Sequence, residues 1–209
     1  MAAIGLAMVV RWIEPGGVAV SGPARPRSSA KALYWSLVGG GFLSFSAGGL
    51  TSWIVASGVD AGLSEAAAGW MLSVGAAVGI SARLVWGARS DAMAVRPYTM
   101  AAVLALVGSV GMVGLASRSE VTHVAASLLA FGAGWAWPVF TNFGIMRANG
   151  DAAGAASGIT QMGIYLGVFA GPLVTGWTID RWGYPVMWMV VAGCMTVGAA
   201  ITYGIREEF

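Results

Sequence analysis

Gly87-Ala-Arg-Ser-Asp91-Ala-Met-Ala-Val-Arg96-Pro97 is a charged stretch between two long apolar runs, and its outline recurs as Gly176-Trp-Thr-Ile-Asp180-Arg181-Trp-Gly183-Tyr-Pro185. Gly87 and Asp91 are answered by Gly176 and Asp180, each 89 residues further on. The chain therefore reads as two copies of one unit. Each copy holds three hydrophobic segments, with the Gly-x-x-x-Asp loop joining the second to the third. An odd number of spans per unit turns the second copy upside down relative to the first.

Composition sets the class around that repeat. Hydrophobic residues make up 57% of the chain, charged ones 10%, and the mean hydropathy is +0.76. A soluble domain of this size would leave far too much apolar surface in water, so the expected class is an all-α integral membrane protein. The 32 glycines fit that class, because lipid gives helices no hydrophobic reason to associate and small residues let their backbones approach. A lone cysteine, Cys194, rules out an internal disulfide and a cysteine-based zinc site; its expected role is that of a small apolar filler. A net charge of +2 gives no reason to expect a nucleic-acid partner.

Along the chain, residues 1–10 are apolar but too short to span, and they read as the remnant of a preceding transmembrane helix; a short amphipathic leader is the alternative. They lack the basic start and small-residue cleavage site of a signal peptide. Residues 11–32 form a basic linker rich in Pro, Gly and Ser. Six spans are expected at 33–58, 65–86, 98–117, 122–146, 155–179 and 184–204, followed by a short tail at 206–209. Nine Lys and Arg residues fall on one side of these spans, and only Arg118 and Arg181 on the other. That bias makes the linker, the Gly87 loop and the C-terminus cytoplasmic and leaves the Asp180 loop outside. Inverted repeats of this kind are the architecture of secondary transporters, so the pattern points to transport.

Six spans after a basic linker, with Gly87-x-x-x-Asp91 and Arg96 between the second and third, resemble the C-terminal half of a major facilitator superfamily transporter. The resemblance covers residues 33–205. That family's loop reads Gly-x-x-x-Asp-Arg-x-Gly-Arg-Arg; Gly87, Asp91 and Arg96 match it, whereas Ala92, Ala94 and Val95 depart from it. The outer copy keeps Gly176, Asp180, Arg181 and Gly183. The resemblance implies alternating access of a small solute, no enzymatic chemistry, no cofactor, and a latch in which Asp91 meets a basic residue when the cytoplasmic side is shut. Arg147, at the end of the fourth span, is the expected partner. Gly87 is expected to give a tight helix exit and close packing. Arg83, one turn before Gly87, is expected to snorkel to the interface, with a place in the Asp91 cluster as the alternative.

Solute contacts are expected near the midplane, where polar and aromatic side chains interrupt apolar spans. These are Ser44 and Ser46, with Thr51 and Ser52, in the first span; Trp135, Trp137 and Asn142 in the fourth; and Gln161 and Tyr165 in the fifth. Trp135-Ala-Trp137-Pro138 suits a locally broken helix that lines a cavity. Gly154-x-x-x-Gly158 and Gly163-x-x-x-Gly167-x-x-x-Gly171-Pro172 read as a close-packing face that bends at its end. No carboxylate lies deep in a span, and His123 starts the fourth span in a structural role. Mostly neutral, aromatic midplane side chains lean towards an uncharged or weakly polar solute.

Two other classes compete with transport. Ala156-Ser157-Gly158 resembles the nucleophile motif of rhomboid-type intramembrane proteases, but His123 precedes Ser157 and lies at the opposite face, so no base reaches that serine. The other is a truncated half-transporter without transport of its own, since a lone C-terminal half supplies one wall of a two-walled cavity. A missing N-terminal half or a second copy would restore it. Arginine outnumbers lysine ten to one, which points to a GC-rich bacterial genome and hence to the cytoplasmic membrane, with lipid and a small solute as partners.

Overall fold

The computed structural model describes residues 27–90 and 96–209. The expected helix remnant at 1–10, most of the linker and Asp91 lie outside them. All regular structure among the described residues is helical: α1 (Ala30–Asp60), α2 (Glu65–Ser90), α3 (Pro97–Leu115), α4 (Glu120–Gly132), α5 (Trp137–Asn149), a 3-10 turn (Gly150–Ala152) and α6 (Ala153–Gly204).

Local chemistry sets these ends. The Ser29 hydroxyl accepts from the Ala32 N–H and Ser119 from the Thr122 N–H, each satisfying a donor that a helix start leaves orphaned. Pro97 opens α3, where its missing N–H costs nothing. Within α6, Gly183 takes φ +78, a conformation side chains rarely adopt, and turns the run into two helices that meet at a kink. Helix ends recur at one interval: Asp60 and Asn149 close helices, as do Leu115 and Gly204, each pair 89 residues apart.

Four stretches of the described residues are long and apolar enough to cross a membrane: Ala30–Asp60, Glu65–Arg89, Pro97–Leu115 and Glu120–Gly204. The last is 85 residues long, several times the ~20 that one crossing requires, and it contains three of the six expected spans. Large apolar side chains such as Trp70, Leu84, Val110 and Phe169 stand exposed around the bundle, as a lipid-facing surface requires. The chain is a multi-pass membrane protein.

The interior is built on α1 lying against α6. Added methyl groups at Gly163, Gly167 and Gly171 would meet the carbonyl oxygens of Leu37, Gly41 and Phe45, so only glycine allows these backbones so close. The face expected there is real over those three residues and stops short of Gly154 and Gly158, where a methyl would meet nothing within 4 Å. α3 approaches α4 and the turn after it the same way, with Gly111 against Ala130 and Gly108 against Gly134. Leu43, Leu50, Ile54, Met112, Phe131 and Trp188 fill the core between these pairs.

One end of the bundle is held by the last residues. Phe209 stacks on Tyr98 with ring centroids 4.3 Å apart, and Tyr98 shares a 2.7 Å hydrogen bond with Ser36. Arg96 pairs with Glu207 at 3.0 Å, and the Ser29 hydroxyl donates to Glu208.

A cleft at the broken helix

The break expected at Trp135–Pro138 is present: α4 ends at Gly132, residues 133–136 form turns, and α5 starts at Trp137. Its cause is local. Pro138 has no N–H to offer the carbonyl of Gly134, one turn back. The next donor, the Val139 N–H, turns to the Ala136 carbonyl at 3.3 Å instead of reaching Trp135. The Trp135 carbonyl is thereby released from the helix ladder. Arg83 of α2 takes it, its Nε–H donating at 2.7 Å while the guanidinium lies 4.7 Å from the centre of the Trp135 ring.

Beside this junction opens a cleft of about 280 Å³. α1 contributes Ser44, Ala47, Gly48 and Thr51. The break and the start of α5 contribute Trp135, Trp137, Pro138 and Asn142, and α2 contributes Arg83. Gln161, Ile164 and Val168 of α6 complete the wall. Trp135 stands near the middle of the run Glu120–Asn149, and Ser44 near the middle of α1, so the cleft lies at mid-depth in the bundle. The indole N–H groups of Trp135 and Trp137 are buried and have no acceptor among the described residues.

Six of the nine expected contact residues thus come together: Ser44, Thr51, Trp135, Trp137, Asn142 and Gln161. Ser46 does not join them. It is fully buried on the other side of α1, where its hydroxyl donates to the carbonyls of Phe42 and Val191. Tyr165 is 71% exposed and lies outside the cleft. Ser52 is exposed as well, whereas Thr51 lines the wall.

The loop residues sort differently from expectation. Arg83 turns inward to the broken helix and does not snorkel outward; its expected place beside Asp91 lies outside the described residues. α2 runs through Gly87 to Ser90, so the helix exit expected at Gly87 is not there. Arg96 engages Glu207 of the tail. Arg147 is exposed in the last turn of α5, where a cation complements the helix dipole.

At the kink, Asp180 is exposed, and Arg181 sits 5.6 Å from the Trp177 ring, which packs edge-on to Trp182. Gly176 faces Trp53, whose Cζ2 lies 3.0 Å from where a methyl would stand. His123 is buried, with Nε2 3.2 Å from the Ser57 hydroxyl and its ring edge-on to Trp188, a packing role. Cys194 is half-buried in α6.

The family profile of the Major Facilitator Superfamily matches residues 1–208. An uncharacterised transporter of Bacillus subtilis (strain 168), YycB, is 27% identical over 154 residues, which make up 71% of this chain and 38% of that protein. The chain spans well under half the length of that relative.

Proposed function

The chain belongs to the major facilitator superfamily, and from that membership we propose that it moves a small solute across a membrane by alternating access, as the C-terminal half of a two-half carrier. The observation that carries this reading is the mid-depth cleft beside the broken helix. Irregular backbone is tolerated at membrane depth where it is buried in protein or lines a cavity, and secondary transporters bind their solutes there.

On this reading residues 33–205 make six crossings arranged as two inverted three-helix repeats. The interval of 89 residues supports it: the break at 133–136 corresponds to Ser44–Ala47 of α1, so matching segments of the two copies face the same cleft. α1 stays continuous where its counterpart breaks, because Pro138 has no equivalent there. The linker at 11–32 and the tail at 206–209 lie on the cytoplasmic side. A missing N-terminal half or a second copy supplies the facing wall. Asp91 and Arg147 form the latch on the cytoplasmic side in a bacterial cell membrane.

The test uses the scarcity of cysteine. With Cys194 replaced by serine, Gln161→Cys gives one thiol in the cleft. A membrane-impermeant maleimide should label it in right-side-out vesicles and, separately, in inside-out vesicles, since alternating access opens the site to each side in turn. Labelling from neither side, or from one side only under all conditions, contradicts the proposal.

A further inference from the structure

The cleft holds a cation that its walls leave without a counter-ion. Arg83 is half-buried at the wall, hydrogen-bonded to a backbone carbonyl and stacked on an indole. Neither contact neutralises its charge. The described carboxylates, Asp60, Glu65, Glu120, Asp151, Asp180, Glu207 and Glu208, lie at helix ends, in turns, near the kink or in the tail, and none lines the cleft. Arg83 has no carboxylate partner among the described residues.

Such a charge at membrane depth is costly unless paired, and intramembrane ionisable residues characteristically pair or mark a substrate path. The remaining polar groups of the wall are neutral. The indole nitrogens of Trp135 and Trp137 are buried and have no acceptor among the described residues. Asn142 and Gln161 line the wall and carry amide donors, while the Thr51 hydroxyl donates back to the carbonyls of Ala47 and Gly48. Ile164, Val168 and the indole rings form the apolar remainder.

We propose that the solute is a small organic monoanion, its negatively charged oxygens held by Arg83 and its apolar body lying against Ile164 and the tryptophans. One cation on the wall matches one negative charge. Planar guanidinium and carboxylate groups pair as a fork, which Lys in the same place could not reproduce. The part of the cleft that this chain forms measures about 280 Å³, room for a single ring against its wall. This inference rests on the cleft being the solute site, and it replaces the uncharged solute that neutral midplane residues led one to expect.

The experiment measures equilibrium binding of radiolabelled benzoate and of its neutral isostere benzamide to the protein in lipid nanodiscs, with empty discs subtracted. The wild-type protein should bind benzoate at least about tenfold more tightly than benzamide, as a charge-assisted hydrogen bond requires. Arg83→Gln should abolish that preference, lowering benzoate affinity at least about tenfold and leaving benzamide within about twofold; Arg83→Lys should recover only part of it. The wild-type preference stands as a test on its own should either variant fail to fold. Benzoate binding no tighter than benzamide, including no binding by either, overturns the inference. Benzamide binding equal to benzoate, with Gln161→Cys still labelled from both sides, overturns the anion and leaves the cleft. Loss of that labelling removes the cleft itself, whatever the charge preference.

Discussion

At the scale of single residues, the contact between α1 and α6 is decided by the absence of a methyl group. Gly167 lies against the Gly41 carbonyl and the Phe45 N–H, so any side chain there must push two backbones apart. Overpacking of this kind costs about 1–3 kcal/mol and more where backbone, not a flexible side chain, is the obstacle. Gly167→Val should therefore shift the protein to aggregates in detergent size-exclusion chromatography, whereas Gly158→Ala, which enters open space, should leave the monodisperse peak unchanged. Equal behaviour of the two variants would contradict the packing described. The glycine pattern alone could mark a small-residue face but not where it ends. Arg83 was harder to read, because its partner is a carbonyl 52 residues away that is free only where the helix breaks. The usable signal was the pairing of an arginine inside an apolar span with a proline inside another. Ser46 misled for a simpler reason: it lies two residues from Ser44, about 200° round the helix, and so faces Val191 and not the cleft.

At the scale of elements, the junction of α4 and α5 is the feature most fully legible in the sequence, since a proline within an apolar span removes a ladder hydrogen bond wherever it lies. What the sequence could not convey was the use made of the released carbonyl. Pro138→Ala supplies an N–H for the Gly134 carbonyl and draws the segment towards a continuous helix, returning the Trp135 carbonyl to the ladder. Interior proline costs a helix about 3 kcal/mol, of which partial relaxation should recover roughly 1. The variant should unfold at a higher temperature than the wild type while binding benzoate more weakly, because Arg83 loses its anchor. A lower unfolding temperature would show that the break is held by packing and not by the proline. The kink at Gly183 was legible as a loop, yet the helix resumes so soon after it that both arms form one helical run.

At the scale of the whole molecule, composition and spacing conveyed the membrane class and the helical architecture, and the family match agrees with both. The charged loop conveys least: Asp91 lies outside the described residues, and Gly87 sits in unbroken helix. The cleft lies at mid-depth only if Glu120–Asn149 crosses the membrane once despite its break. Each of its two 13-residue helices is about 20 Å long, too short to span the ~30 Å hydrocarbon core alone. Were they instead to enter and leave on one side, the cleft would not lie at mid-depth. Arg118 and Asp151 flank this run and are exposed, so single cysteines at these two positions in a Cys194→Ser background report its topology directly. A membrane-impermeant maleimide should label Arg118→Cys from one face of the membrane and Asp151→Cys only from the other. Labelling of both from the same face would contradict the crossing and with it the cleft as a solute site.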